Sequence, residues 1–239
     1  MGGCIVGELI NINDVLAIAL NAPGVRIDRN EFLINNFSRI VDPEKVQEIL
    51  NTSPIKANIS KSKLDNIAEE CINYETYKVS LLSFGSGFGG LIGIPADLAQ
   101  YLVHVIRISQ KLAYIYGWPE IFNIDRSLDE ETKNIILIFI GEVYGVAGTN
   151  EAISRISQVY AEHLSKSLAK QALTKTTWYP LLKELCKTIG IKITKDTVSK
   201  SAAKAVPIIA SLVCGALTYG SFKDGANRLH KSLKENPVL

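Results

Sequence analysis

A long uncharged segment precedes an apolar helix in this sequence and limits the folds open to it. Residues 79–96 carry no charged side chain and include five glycines. A segment of this length is at the lower limit for spanning a bilayer. Because glycine costs roughly 1 kcal/mol relative to alanine inside a helix, five glycines in one segment need a structural reason. The segment therefore predicts either a tight crossing in a protein core or a membrane-inserting helix.

The spacing of these glycines favours close packing over ligand binding. Gly85, Gly89 and Gly93 recur at every fourth position, which on a helix would form one smooth face for a neighbouring helix. Such a glycine zipper fits a Gly-rich loop or helix crossing in a soluble core, and it also fits a pore-lining helix. Gly87 and Gly90 do not complete either phosphate-loop pattern, and no predicted strand precedes them. A phosphate-binding loop is therefore the weakest interpretation.

The apolar helix that follows carries one narrow polar stripe. On a helical wheel its members lie within about 80° of one another, and they are Asp97, Gln100, His104, Arg107 and Lys111. Two interpretations are open, namely a solvent-facing edge of a buried helix, or a polar pocket that holds a metal or a lipid headgroup. Two ligand types seven residues apart are a weak metal signal, so neither a metal nor a cofactor is predicted.

A second apolar helix combines small residues with an isolated carboxylate. Gly141 and Gly145 form a predicted close-packing pair, and Glu142 is the sole charge between Lys133 and Glu151. Burying a carboxylate alone costs several kcal/mol, so this side chain must be hydrogen-bonded, paired or protonated.

Two roles for Glu142 remain open. The predicted partners of a structural ion pair are Arg107, His104 or a lysine of the basic segment described below. A functional carboxylate would instead share a pocket with Asp97 and His104.

Helical periodicity recurs along the chain and no convincing β alternation occurs, so the predicted fold is all-α. We expect a compact multi-helix bundle whose two apolar, Gly-containing central helices come from residues 79–96 and 205–222. Residues 1–60 are predicted to form an N-terminal helical extension packed on the core of a helical domain, residues 61–239. Local signals include a capping Asp28 and a helix-ending Gly117.

The charge distribution indicates an anionic partner. Lys and Arg total 26 against 24 Asp and Glu, but residues 166–204 hold nine lysines, two acidic residues and no arginine. All-lysine composition favours charge attraction to anionic lipid over bidentate recognition of nucleic acid, which is not predicted. A solvated basic face without a partner is the alternative. The membrane-contact candidates are Lys166, Lys170, Lys175, Trp178, Lys183 and Lys187.

Location is predicted from the cysteines and the N-terminus. The four cysteines form no CxxC pair, and the N-terminus lacks the pattern of a signal peptide. These features predict a reducing, cytoplasmic setting. Together with the lysines they place the protein at the inner face of the membrane, with insertion of the apolar segments as an open alternative.

Three segments resemble the bacterial EcsC family. They are GLIGIPADLAQYLVHVIRISQKLAYIYGW, IGEVYGVAG and LTKTTWYPLLKELCKTIGIKITKDTVSKSAAKAVPIIASLVCGALTYGSF, in order across roughly residues 65–225. The earlier GVRIDRNEFL is similar to the start of some members. The family is named for a hydrophobic protein encoded beside an ABC transporter, so the resemblance implies an apolar helical protein. It implies no catalytic residue.

Three functions follow as hypotheses. The leading one is a membrane-associated, non-enzymatic protein, accessory to a membrane or transport process, with an anionic membrane surface or a membrane protein complex as partner. A small-molecule- or lipid-binding enzyme would need Asp97, His104 and Glu142 within about 10 Å, the reach of one small ligand. A pore-forming effector would use the glycine zipper of residues 85–93. The sequence leaves the oligomeric state open.

Overall fold

Eight α-helices make up most of the residues that the computed structural model describes, which are 12–86, 94–122, 130–162 and 207–239. No strand occurs within these ranges, so the all-α prediction is confirmed. Side-chain burial is defined for residues 16–81, 99–122, 132–162 and 220–239. The helices are α1 (Ile12–Asn21), α2 (Arg29–Phe37), α3 (Pro43–Asn51), α4 (Lys61–Ser86), α5 (Ile94–Ile115), α6 (Glu130–Tyr144), α7 (Thr149–Ala161) and α8 (Pro207–Glu235).

Helix α5 is the centre of the packing. It contacts α1, α2, α4, α6 and α8, and nearly every side chain from Leu102 to Trp118 is buried. A helix that is apolar around most of its circumference has to be covered on several sides, which explains its many neighbours. Helix α8 lies along α4 and also contacts α6 and α7.

The N-terminal helices are attached to α5 through polar contacts with backbone groups. The amide of Gln110 accepts a hydrogen bond from Ile27 N at 2.9 Å and donates one to Val25 O at 2.7 Å. The buried guanidinium of Arg29 donates to Trp118 O at 3.2 Å. These contacts satisfy backbone groups that have no partner within a helix, because they lie between α1 and α2 or just after α5.

Local signals place two helix boundaries where the sequence predicts them. The Asp28 side chain caps α2 by accepting from Glu31 N at 2.7 Å. Gly117 ends α5 with a φ of +89°, and Trp118 N donates to Ala113 O at 3.0 Å across the turn. Glycine adopts this left-handed conformation without the penalty of a Cβ atom.

The two glycines of α6 have different roles. A Cβ atom at Gly141 would lie 2.7 Å from Thr149 Cγ2, so this glycine permits a close approach of α7. Gly145 was expected to pack in the same way, but it lies just after α6 with a φ of +70° and ends the helix. Val146 N donates to Gly141 O at 2.9 Å, as in a Schellman motif.

The structure describes only part of the two apolar segments, residues 79–96 and 205–222. The first begins in α4, which includes Gly85, and continues into α5, whereas Gly89 and Gly93 lie outside the described residues. The second overlaps the start of α8. Among the described helices, none combines the length and the apolar character that crossing a bilayer requires.

Candidate functional site

A fully buried carboxylate on α4 gathers three basic side chains of α5. Glu75 Oε2 lies 2.7 Å from His104 Nδ1, while Oε1 lies 2.6 Å from Lys111 Nζ and 3.4 Å from Arg107 Nε. The three basic residues are spaced at i, i+3 and i+7, so they lie on one face of α5. We call Glu75, His104, Arg107 and Lys111 the Glu75 cluster. It fixes the register between the two helices.

The cluster keeps Glu75 ionised. Burial raises the pKa of this carboxyl, but the hydrogen bond from His104 and the charges of Lys111 and Arg107 outweigh it and hold the pKa at about 2. A carboxylate can only accept hydrogen bonds, so His104 must carry a proton on Nδ1. The other ring nitrogen, Nε2, is buried and has no hydrogen-bond partner among the described residues.

From His104 onward, the polar stripe of α5 is therefore not a solvent-facing edge. His104 and Lys111 are buried, Arg107 is partly buried and also donates to Gly24 O, and Gln100 is exposed. The side chain of Asp97 lies outside the described part of the structure. Its Cα lies about 10.5 Å from that of His104 along a regular helix.

Glu75 itself was missed in the sequence, although a signal for it exists. Leu64, Ala68, Cys71 and Ile72 are buried and recur at helical spacing. Glu75 continues this apolar face one turn later. A carboxylate on the apolar face of a helix implies a buried basic partner, and the polar stripe of α5 supplies three.

Glu142 lies in different surroundings from those predicted. Its Oε2 accepts a hydrogen bond from Thr149 Oγ1 at 2.6 Å, and the charge of Arg228 lies nearby. Burial raises the pKa of this carboxyl, and Thr149 and Arg228 offset only part of the effect. The prediction that His104 or Arg107 pairs with Glu142 is wrong, because Glu75 binds both. A lysine partner from residues 166–204 lies outside the described ranges.

The side of α4 that faces away from Glu75 carries large apolar side chains that are exposed to solvent. Tyr74, Tyr77 and Leu81 are 53%, 63% and 55% exposed and follow one another at spacings of three and four residues. Lys78 lies between them and is half-buried. We call Tyr74, Tyr77, Lys78 and Leu81 the outer face of α4. Monomeric proteins seldom expose such side chains in a contiguous group unless the group is functional.

The exposed side of α4 changes polarity along the helix. The exposed residues that precede Tyr74 are all polar or charged, namely Lys61, Ser62, Lys63, Asn66, Glu69, Glu70 and Asn73. From Tyr74 onward the face is aromatic and apolar with a single lysine. The apolar end is the one that leads into the uncharged segment 79–96.

Two ammonium groups approach the ring of Tyr74. Lys78 Nζ lies 4.5 Å and Lys111 Nζ lies 5.5 Å from the ring centroid. A hydrogen bond with Lys78 lowers the pKa of the Tyr74 phenol. Lys111 thus connects the buried Glu75 cluster with the outer face of α4.

A second polar cluster joins α4, α5 and α8. The Tyr116 hydroxyl lies 2.9 Å from Asp65 Oδ1 and 2.7 Å from His230 Nε2, and Lys234 Nζ lies 2.7 Å from Asp65 Oδ2. Burial raises the pKa of Tyr116, so this phenol stays protonated and donates to Asp65 while it accepts from His230. These contacts fasten the end of α8 to the core.

The chain matches no protein-family model, no curated protein and no solved structure. The EcsC resemblance remains a prediction that the motifs quoted above support. All six predicted membrane-contact residues, from Lys166 to Lys187, lie outside the described part of the chain.

Proposed function

We propose that this chain is a non-enzymatic helical protein that attaches peripherally to an anionic membrane, as an accessory to a membrane or transport process. The observation that carries the proposal is the outer face of α4, where Tyr74, Tyr77 and Leu81 are exposed beside Lys78. The resemblance to EcsC proteins agrees with this function. The attraction expected from the lysines of residues 166–204 remains part of the proposal.

The composition of the outer face is that of an interfacial anchor. Tyrosine is enriched where membranes meet water, because its ring is apolar and its hydroxyl is polar. A lysine there can lay its alkyl chain along the apolar surface and keep its ammonium at the headgroups. The exposed side of α4 is acidic at Glu69 and Glu70 and apolar at Tyr77 and Leu81. This polarity orients the protein with the C-terminal end of α4 toward the lipid.

The buried contacts of His104 and Glu142 favour a structural role over catalysis. His104 and Glu142 were grouped in the predicted enzyme pocket, but each is bonded to a different partner, Glu75 and Thr149 respectively. Both interactions join neighbouring parts of the helical core. Buried polar side chains commonly form such hydrogen bonds for structural reasons alone.

Vesicle co-sedimentation tests the proposal. The full chain is expected to pellet with vesicles that contain phosphatidylglycerol at low salt, and less at high salt because the charges are screened. The double variant Tyr77→Ser/Leu81→Ser should bind at least about tenfold more weakly, since two apolar side chains no longer enter the interface.

The matched control is Ile34→Ser, which removes an exposed apolar side chain from α2. It should leave vesicle binding unchanged. Wild-type protein that stays in the supernatant at low salt would refute the attachment, and an equal loss in Ile34→Ser would refute the role of the outer face.

A further inference from the structure

We propose that Lys78 and Tyr74 form a binding site for the phosphate of an anionic phospholipid headgroup, with Lys111 completing the positive surroundings. This inference rests on the proposed membrane attachment and adds a ligand to it. It commits the outer face of α4 to lipid rather than to another protein.

The first argument is the geometry around Tyr74. Its ring is half exposed and has one ammonium at 4.5 Å and another at 5.5 Å from its centroid. Lys78 also lowers the pKa of the phenol. A phosphate oxygen at this position would meet an ammonium donor and a hydroxyl donor, which are groups that bind phosphate in many proteins.

The second argument is the balance of charge. Lys78, Arg107 and Lys111 carry three positive charges, and Glu75 pairs with only the last two. Among the described residues Lys78 has no ion pair. The exposed Glu70 lies one helical turn before Tyr74 and about 12 Å before Lys78 along the helix axis. The site therefore has an excess of positive charge that an anion would balance.

The third argument is the position of Lys78 relative to the apolar residues. Lys78 lies one residue after Tyr77 and one turn before Leu81, so an ammonium at headgroup level places Leu81 deeper in the interface. A membrane satisfies both requirements at once, because phosphates and acyl chains occur side by side. An apolar protein surface would leave the charge of Lys78 without a partner.

The fourth argument is the fixed position of Lys111. Its ammonium is held 2.6 Å from Glu75 Oε1 and is largely buried, so it cannot turn away from Tyr74. Glu75 is a positioning residue in this arrangement, because it orients Lys111 and does not contact the ligand.

The test compares Lys78→Gln with Lys61→Gln, a matched loss of one charge at the exposed start of the same helix. Each protein is mixed with vesicles of phosphatidylcholine alone and with vesicles that also contain phosphatidylglycerol. Loss of one lysine at an anionic surface should weaken binding about fivefold. We expect this loss for Lys78→Gln on anionic vesicles only, and no loss for Lys61→Gln.

Inorganic phosphate separates the two sources of this ligand. At matched ionic strength, phosphate that releases the wild-type protein but not Lys78→Gln supports a phosphate site that free phosphate also occupies. Phosphate without effect, together with the selective loss in Lys78→Gln, assigns the site to the lipid headgroup.

Two results overturn the site while leaving the membrane attachment intact. They are an equal loss in both lysine variants, and an unchanged preference of Lys78→Gln for anionic vesicles. If the wild-type protein binds neither kind of vesicle, the proposed membrane attachment is refuted. The site is then judged from the Tyr74 ring resonances on addition of phosphate. A shift in the wild type that is lost in Lys78→Gln supports it, and no shift overturns it.

Discussion

Glu75 is the residue on which the polar interior of this protein depends. It is fully buried and is the shared partner of His104, Arg107 and Lys111. Buried charges are tolerated when they are paired, whereas removal of one partner leaves the others without compensation. The stability of the contact between α4 and α5 should therefore respond strongly to this side chain.

Glu75→Gln is expected to lower the free energy of unfolding by about 3–5 kcal/mol, the usual effect of breaking a buried ion pair. The amide has no charge to offset Lys111 and Arg107. Urea denaturation at neutral pH measures this loss. Glu70→Gln is the control, because Glu70 is exposed on the same helix and its replacement should change stability by less than about 0.5 kcal/mol.

Glu75 also determines how the stability of the protein changes at acidic pH. Its pKa of about 2 lies below the ordinary value of 4.5, so the folded state favours the ionised form more than the unfolded state does. This contribution is fully present above pH 4.5 and is lost as the pH falls toward 2. Glu75→Gln should lack this part of the acid transition, and an unchanged acid profile in the variant would contradict the assignment.

At the scale of helices, the contact between α6 and α8 is set by a glycine that the sequence analysis did not select. A Cβ atom at Gly225 would lie 2.7 Å from Val143 Cγ1 and 2.8 Å from Val143 O. These distances are shorter than van der Waals contact with the side chain and the backbone of α6. The two helices can approach as they do only because this position has no side chain.

Gly225→Ala is expected to destabilise the protein, by about 1–3 kcal/mol, since α6 and α8 must move apart. Gly220→Ala on the same helix is the matched control. Its Cβ atom would have no neighbour within 4 Å. It should stabilise the helix by about 0.5–1 kcal/mol through the higher helix propensity of alanine. Thermal unfolding of both variants measures the difference, and stabilisation by Gly225→Ala would show that the contact is not tight.

At the scale of the whole molecule, the last residues close the structure onto its central helix. Val238 N donates to Tyr116 O at 3.0 Å, and His230 and Asp65 both contact the Tyr116 hydroxyl. Residues that are far apart in sequence thus meet at the end of α5. The docking of α8 should depend on the protonation state of His230, because this side chain is largely buried and burial disfavours a charged imidazolium.

Acidification should weaken this docking. Burial lowers the pKa of His230 below 6.5, and the nearby charge of Asp65 offsets only part of this effect. The unfolded state therefore binds a proton at His230 more readily than the folded state, so stability is highest above pH 6.5 and decreases as the pH falls below it.

Urea midpoints at pH 7.5 and pH 5.5 should show this decrease, and His230→Gln should reduce it. Hydrogen exchange along α8 locates the effect. Equal pH dependence in the wild type and in His230→Gln would assign it to other groups.

Features that depend on neighbouring residues could be predicted from the sequence. The all-α class follows from helical periodicity, the cap at Asp28 from a side chain that reaches its own helix, and the end of α5 from the left-handed conformation of Gly117. Each involves atoms within a few residues of one another, so tertiary packing does not alter it.

Features that depend on which surfaces meet were decided by the tertiary structure. The polar stripe on α5 is recognisable in the sequence, but the sequence predicts Glu142 as its carboxylate partner. The fold brings Glu75 to the stripe instead. Gly225 shows the same limit, because its close approach depends on the backbone of another helix. The outer face of α4 remained hidden for this reason too. Tyr74, Tyr77 and Leu81 are apolar in the sequence, and only the packing of the other described helices shows that they are exposed.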